Sequence, residues 1–108
     1  MQAGNNRRSM PSGTKSSELE MLHLKRRSDI QSRLVDGEIV VLDRQQGLIH
    51  QLNKTASYIW EQCNGQRTAA VIAHQVCEVF EVEEPTALTD VLEILKTLQD
   101  LKLLEKIE

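Results

Sequence analysis

Hydrophobic positions change their period partway along the chain. Between residues 28 and 52 they alternate or run together in short blocks, as in strands; from residue 53 they recur every three or four positions, as in helices. Three runs make up the first part: Asp29 to Val35, Glu38 to Asp43, and Leu48 to Leu52. Asp36-Gly37 joins the first two, and both residues tolerate the positive φ of a tight hairpin turn. Arg44 to Gly47 makes the second turn. The middle run, Glu38-Ile39-Val40-Val41-Leu42-Asp43, is continuous and β-branched, which predicts a strand covered on both faces. In the third run, alternation sets Leu48, His50 and Leu52 on one face and Ile49 and Gln51 on the other. No further strand signal lies nearby, so this meander keeps at least one free edge. The unpaired N–H and C=O groups of such an edge can accept another extended chain.

The helical part opens at Asn53, a residue type whose side-chain oxygen caps orphan amides. Ala56, Ile59, Trp60 and Cys63 follow on one face, and Asn64-Gly65 is expected to end this helix through a left-handed glycine. Trp60 is the only Trp, and it points into the core. Thr68 caps a second helix over Ala69–Phe80, with Ala69, Ile72, Ala73, Val76, Val79 and Phe80 on one side. The connector at residues 81–85 is mostly polar. A third helix starts near Pro85 or Thr86 and runs to about Lys102. Its apolar positions cover roughly half of the circumference, more than the stripe of about 100° that a surface helix usually shows. Leu88, Leu92 and Leu95, continued by Gln99, form one margin. Ala87, Ile94, Leu98 and Leu101 form the other. The surplus is core, a dimer contact, or one wall of an open groove beside the free strand edge.

Composition narrows the choice. A chain of 108 residues holds one domain. Residues 1–17 are nearly devoid of apolar side chains and read as a disordered tail; the boundary of the folded domain is expected between residues 27 and 28. Leu19, Met21, Leu22 and Leu24 fit a short helical turn or a first strand. Lys25-Arg26-Arg27 reads as a solvated junction or a contact for an acidic partner. Residues 1–29 carry a net +3 and the remainder a net −6. So acidic a domain is a poor phosphate binder, which counts against nucleic acid. No apolar run approaches the roughly 20 residues of a membrane helix, and no signal-peptide core follows the N-terminus. The cytoplasm is the expected compartment.

Candidate chemistry is sparse. Cys63 and Cys77 lie on or beside apolar helix faces and read as buried free thiols; a disulfide between the first two helices would need an oxidising compartment. His23, His50 and His74 have no metal-ligand spacing with one another or with the cysteines. Glu83-Glu84, Asp90 and Glu93 suit the start of a helix and its solvated face. There is no phosphate loop, nucleophile elbow or HExxH. The reading is of a chain that is not an enzyme and needs no cofactor or metal.

Leu42-Asp43, Gly47, Leu52-Asn53-Lys54-Thr55-Ala56, Ile59-Trp60, Gly65-Gln66-Arg67-Thr68, Ile72-Ala73, Asp90-Val91 and the closing Leu98, Leu101 and Leu104 together resemble the PqqD family, over about residues 33–105. Two departures stand out: Lys102 replaces a frequent glycine, and Ile49 and His50 stand where aromatics are frequent. The resemblance implies an α+β fold, a three-stranded antiparallel sheet followed by three helices in a winged-helix-like arrangement. It implies a non-catalytic peptide chaperone that takes the leader of a ribosomally made precursor peptide as an added strand and presents it to a modifying enzyme, often a radical S-adenosylmethionine enzyme. Carried over onto this chain, the strand contacts are Gly47, Leu48, Ile49, His50, Gln51 and Leu52. The helix contacts are Leu88, Leu92, Leu95, Lys96 and Gln99. The competing readings are a winged-helix DNA-binding protein and a homodimerisation module; the expected state is a monomer or weak homodimer with no nucleic-acid or membrane partner.

Overall fold

The computed structural model describes residues 21–107. The expected disordered tail over residues 1–17 lies outside that range. Three strands form the predicted meander: β2 (Gln31–Val35), β3 (Glu38–Asp43) and β4 (Leu48–Gln51), after a strand β1 (His23–Arg26). Both meander contacts are antiparallel, with Leu34 opposite Ile39 and His50 opposite Val41. The hairpin Asp36-Gly37 has φ of 52° and 82°, the two positive values that a type I′ turn requires.

Three helices follow among the described residues: α1 (Lys54–Gln62), α2 (Ala69–Phe80) and α3 (Glu84–Asp100). Their starts are set by short polar side chains. Asn53 Oδ1 accepts from the Ala56 amide at 2.8 Å and Thr68 Oγ1 from the Val71 amide at 3.3 Å. Ile59, Trp60, Ile72, Val76, Val91, Leu95 and Leu98 from the three helices meet Ile39 and Val41 of β3 in one core. Tyr58 and Phe80 close its rim edge to face, ring centroids 5.7 Å apart. Trp60 is buried as expected.

Four expectations are corrected. First, α1 does not end on Asn64-Gly65. It stops at Gln62, and Asn64–Thr68 forms a further strand, β5. Gly65 keeps its positive φ of 86°, but within strand β5, where the pairing of β1 and β5 shifts register. Second, the folded unit begins before residue 28. Strand β1 is the centre of a second sheet, ordered β5-β1-β6, with β6 at Leu104–Ile107. Leu24 of β1 is buried in the core, and that burial holds the segment in place.

Third, the basic cluster is no solvated junction. Arg26 Nη1 donates to the Trp60 and Glu61 carbonyls, both at 2.8 Å, at the end of α1, where the Trp60 carbonyl also accepts from the Cys63 amide. Arg27 pairs with Asp29 and with the buried Asp43, and donates to the Lys102 carbonyl at 2.8 Å. Fourth, only one face of β3 is covered. Ile39, Val41 and Asp43 point into the core, while Val40 and Leu42 are half-buried. With Val35, Ile49 and Arg33 they line an open concavity on the outer face. A β-branched run looks the same from sequence whether its second face is packed or half exposed.

Candidate functional site

Strand β4 is an edge of the sheet β2-β3-β4. The Leu52 amide donates to the Ile39 carbonyl at 2.8 Å. In the antiparallel register that pairs His50 with Val41 and Leu48 with Asp43, alternate residues turn their main chain toward the partner strand. Leu48, His50 and Leu52 therefore face β3, and the N–H and C=O groups of Ile49 and Gln51 face outward. These are the groups that an added strand would pair with.

Beside this edge lies a groove of about 400 Å3, lined by Ile49, His50, Gln51, Leu52 and Ala56 on one side and Ile94, Thr97, Leu98 and Leu101 of α3 on the other. The walls are aliphatic apart from His50, Gln51 and Thr97, and no charged side chain lines them. The imidazole of His50 lies on the inner face of the sheet, opposite Val41. Its Nε2 is closed off from solvent and has no hydrogen-bond partner among the described residues.

The far end of the groove is tied to the sheet through Asp43. This carboxylate is fully buried. It accepts from Arg27 Nη2 at 2.8 Å, from Gln46 Nε2 at 2.7 Å and from the Gln46 amide at 3.2 Å. The same two partners reach α3: Arg27 donates to the Lys102 carbonyl and Gln46 Nε2 to the Leu101 carbonyl. Asp43 thus links the β3–β4 turn to the C-terminal end of α3, and this sets the distance between the two walls. The hydrogen bond from the Arg27 guanidinium holds its carboxyl down to about 2 against the cost of burial, with Gln46 assisting. The same guanidinium lowers Asp29.

The strand residues that the resemblance implies fall at or next to the groove. Ile49, His50, Gln51 and Leu52 line the groove, and Gly47 and Leu48 stand just before it, Gly47 with a φ of 67° at the end of the turn. The helix half is different. Leu95 is only 1% exposed and belongs to the core, Leu88 and Leu92 are half-buried against that core, and neither Lys96 nor Gln99 lines the groove. The opposite margin, Ile94, Leu98 and Leu101, faces β4, with Thr97 beside it. Periodicity fixes which residues share a row on a helix, but not how the helix is turned toward its neighbour. Ala56, Ile94, Thr97, Leu98 and Leu101 are the groove residues that the carried-over set lacked. The row Ile94, Leu98 and Leu101 was visible as the second margin.

Elsewhere the chemistry is quiet. Both cysteines are free. Burial pushes the Cys63 thiol up to about 12 and raises Cys77 as well, so neither is a thiolate at neutral pH. Among the described residues there is no cluster of His, Cys, Asp or Glu that could hold a metal ion, and no helix long and apolar enough to cross a membrane.

A meander whose edge strand β4 is flanked by a helix that presents aliphatic side chains defines a class: a domain shaped to receive an extended segment. The profile of the family described as coenzyme PQQ synthesis protein D (PqqD) matches residues 38–104. The chain belongs to the PqqD family. Among solved structures it is similar to TbiB1 in complex with the TbiA(beta) leader peptide, at 27% identity over 78% of this chain and 98% of that one, TM-score 0.70. A lasso peptide synthetase B1 complexed with its leader peptide is 25% identical over 77% of this chain and 98% of that one, TM-score 0.69. The fold is also that of the PqqD portion of Methylobacterium extorquens PqqCD, a stand-alone recognition element for ribosomally synthesized and post-translationally modified peptides. That match is 17% identical over 86% of this chain and 95% of that one, TM-score 0.67. Comparison with curated proteins gives no match.

Proposed function

We propose that this protein binds the leader segment of a ribosomally made precursor peptide as an added strand on β4, with alternate side chains seated in the groove against α3. The observation that carries the proposal is the outward-facing main chain of Ile49 and Gln51 next to an uncharged aliphatic wall. Main-chain hydrogen bonds would supply affinity and the groove would supply selectivity. Two similar structures hold leader peptides, which supports the assignment. The contact set is Ile49 to Leu52 on the strand side and Ile94, Thr97, Leu98 and Leu101 on the helix side, with Ala56 at the base.

The protein does no chemistry of its own in this reading. It acts in the cytoplasm as a monomer or weak homodimer, which sedimentation velocity checks. It raises the local concentration of the precursor's core segment near a separate modifying enzyme, to about millimolar for a short flexible link. A radical S-adenosylmethionine enzyme is the partner class that the family resemblance offers.

DNA binding is not favoured. Arg26 and Arg27, the heart of the basic cluster, are engaged with the chain's own carbonyls and carboxylates. The test is a titration of isotopically labelled protein with a synthetic leader, taken from a short open reading frame adjoining the gene. Amide shifts confined to β4, α1 near Ala56 and the second half of α3 are expected. Shifts concentrated on α2, or on the outer face around Val35 and Leu42, would refute this placement.

A further inference from the structure

The aliphatic lining of the groove is interrupted by Gln51, Thr97 and one ring, that of His50. His50 lies on the inner face of β4, opposite Val41, with Leu48 and Leu52 two residues to either side on the same face. Its Nε2 is buried without a hydrogen-bond partner among the described residues, while the ring borders the groove. A buried polar atom left unpaired costs folding free energy, and where it is kept beside a binding site a ligand group is a natural partner for it.

We infer that His50 reads one hydrogen-bonding side chain of the docked strand, so that this protein selects a leader with a polar residue flanked two positions away by apolar ones. The inference rests on the strand-addition reading and names the substrate class for that same groove. The register argues it. On a strand added to β4, the residue beside His50 shares its face. Since Ile49 and Gln51 supply the outward main-chain groups, an antiparallel guest meets His50 in a non-hydrogen-bonded pair, the kind with the closest side chains. Pairing with the guest requires a turn of the imidazole about its Cβ–Cγ bond that brings the buried Nε2 to the groove. There it donates or accepts according to its tautomer, so a hydroxyl, amide or carboxylate side chain satisfies it and an aliphatic one does not. The guest's next inward residues lie about 7 Å to either side, along the Ile94, Leu98 and Leu101 row. They meet only hydrocarbon and the Thr97 hydroxyl.

A displayed library of randomised twelve-residue peptides, panned against the full chain and against its His50→Leu variant, tests this. The wild type is expected to enrich a polar position with apolar neighbours at two residues' distance on at least one side. His50→Leu should replace that polar position with an apolar one, and should bind a wild-type-selected peptide about five- to twentyfold more weakly. His50→Gln, which retains a hydrogen-bonding group, should keep most of the preference. Identical enriched motifs for the wild type and His50→Leu would overturn the role of His50 and leave strand addition standing. Enriched peptides that shift no β4 amide, or no enrichment at all, would overturn the strand reading and this inference with it.

Discussion

At the scale of single residues, the fold is punctuated by positions where backbone conformation or a buried charge decides stability. Lys102 has a φ of 63°, just past the end of α3. Its amide donates to the Gln99 carbonyl and that of Leu103 to the Leu98 carbonyl, the closing bonds of a helix that ends in a left-handed residue. A side chain there costs about 1–2 kcal/mol, while glycine loses about 0.5–1 kcal/mol more backbone entropy on folding. Lys102→Gly should therefore stabilise the domain by about 0.5–1 kcal/mol, read as a higher denaturant midpoint with an unchanged slope. Asp43 makes the opposite case. Its carboxyl is held at about 2 by Arg27 and Gln46, below the unfolded value near 3.9. A depressed carboxyl stabilises the fold above its unfolded pKa and loses that contribution as pH falls through its folded pKa. Asp43→Asn should lower the melting temperature at pH 7, and the gap to the wild type should narrow as pH drops from about 4 toward about 2. A gap independent of pH in that window would show that the charge of Asp43 is not what holds the β3–β4 turn to α3.

At the scale of elements, the edge strand carries a sharp expectation. Proline is tolerated in a sheet only where its missing N–H does not serve the ladder. The Ile49 amide faces outward, as the Leu52 to Ile39 bond and the pairing of His50 with Val41 require. Ile49→Pro should thus leave the far-ultraviolet spectrum nearly intact while cutting leader affinity tenfold or more, through one lost hydrogen bond and a ring in the guest's path. On the opposite wall, Ile94→Asp should weaken binding by a similar factor, because a half-buried carboxylate would face an aliphatic guest. Lys96→Ala, at an exposed position outside the groove, should change affinity less than twofold. A large Lys96 effect with a small Ile94 effect would return the binding surface to the margin first expected. What was legible here follows from local chemistry. The Asp36-Gly37 turn, the Asn53 and Thr68 caps and the alternation of Leu48, His50 and Leu52 act within a few residues of themselves, so the sequence displays them directly. The rotation of α3 is settled by distant partners: Leu95 is drawn into the core by packing, and Ile94 is left to the groove. No run of spacing within the helix encodes that choice.

At the scale of the whole molecule, the least legible part is the sheet β5-β1-β6. Its strands read HLKR, NGQRT and LEKI, with few apolar residues and, in β5, an Asn-Gly that resembles a helix stop. They pair across the length of the chain, His23 with Thr68 and with Ile107, so no local window contains the signal. The same pairing ties the beginning and end of the described chain to the middle. Strand β1 is the central member, Leu24 is 3% exposed, Arg26 caps α1, and Arg27 spans Asp43 and the end of α3. A chain beginning at residue 28, the boundary that composition favours, would lose all four contributions at once. It would leave β5 and β6 without the strand between them, and the Asp43 carboxylate buried without its guanidinium. That chain should show no cooperative thermal transition, whereas Leu24→Ala in the full chain should unfold cooperatively with a loss of about 2–4 kcal/mol, as expected for a buried leucine. The groove should fail with the sheet, because the α3 end that forms its wall is anchored through Arg27. Leader binding retained by the shortened chain, measured by calorimetry, would mean that β4 and α3 hold their spacing without the second sheet.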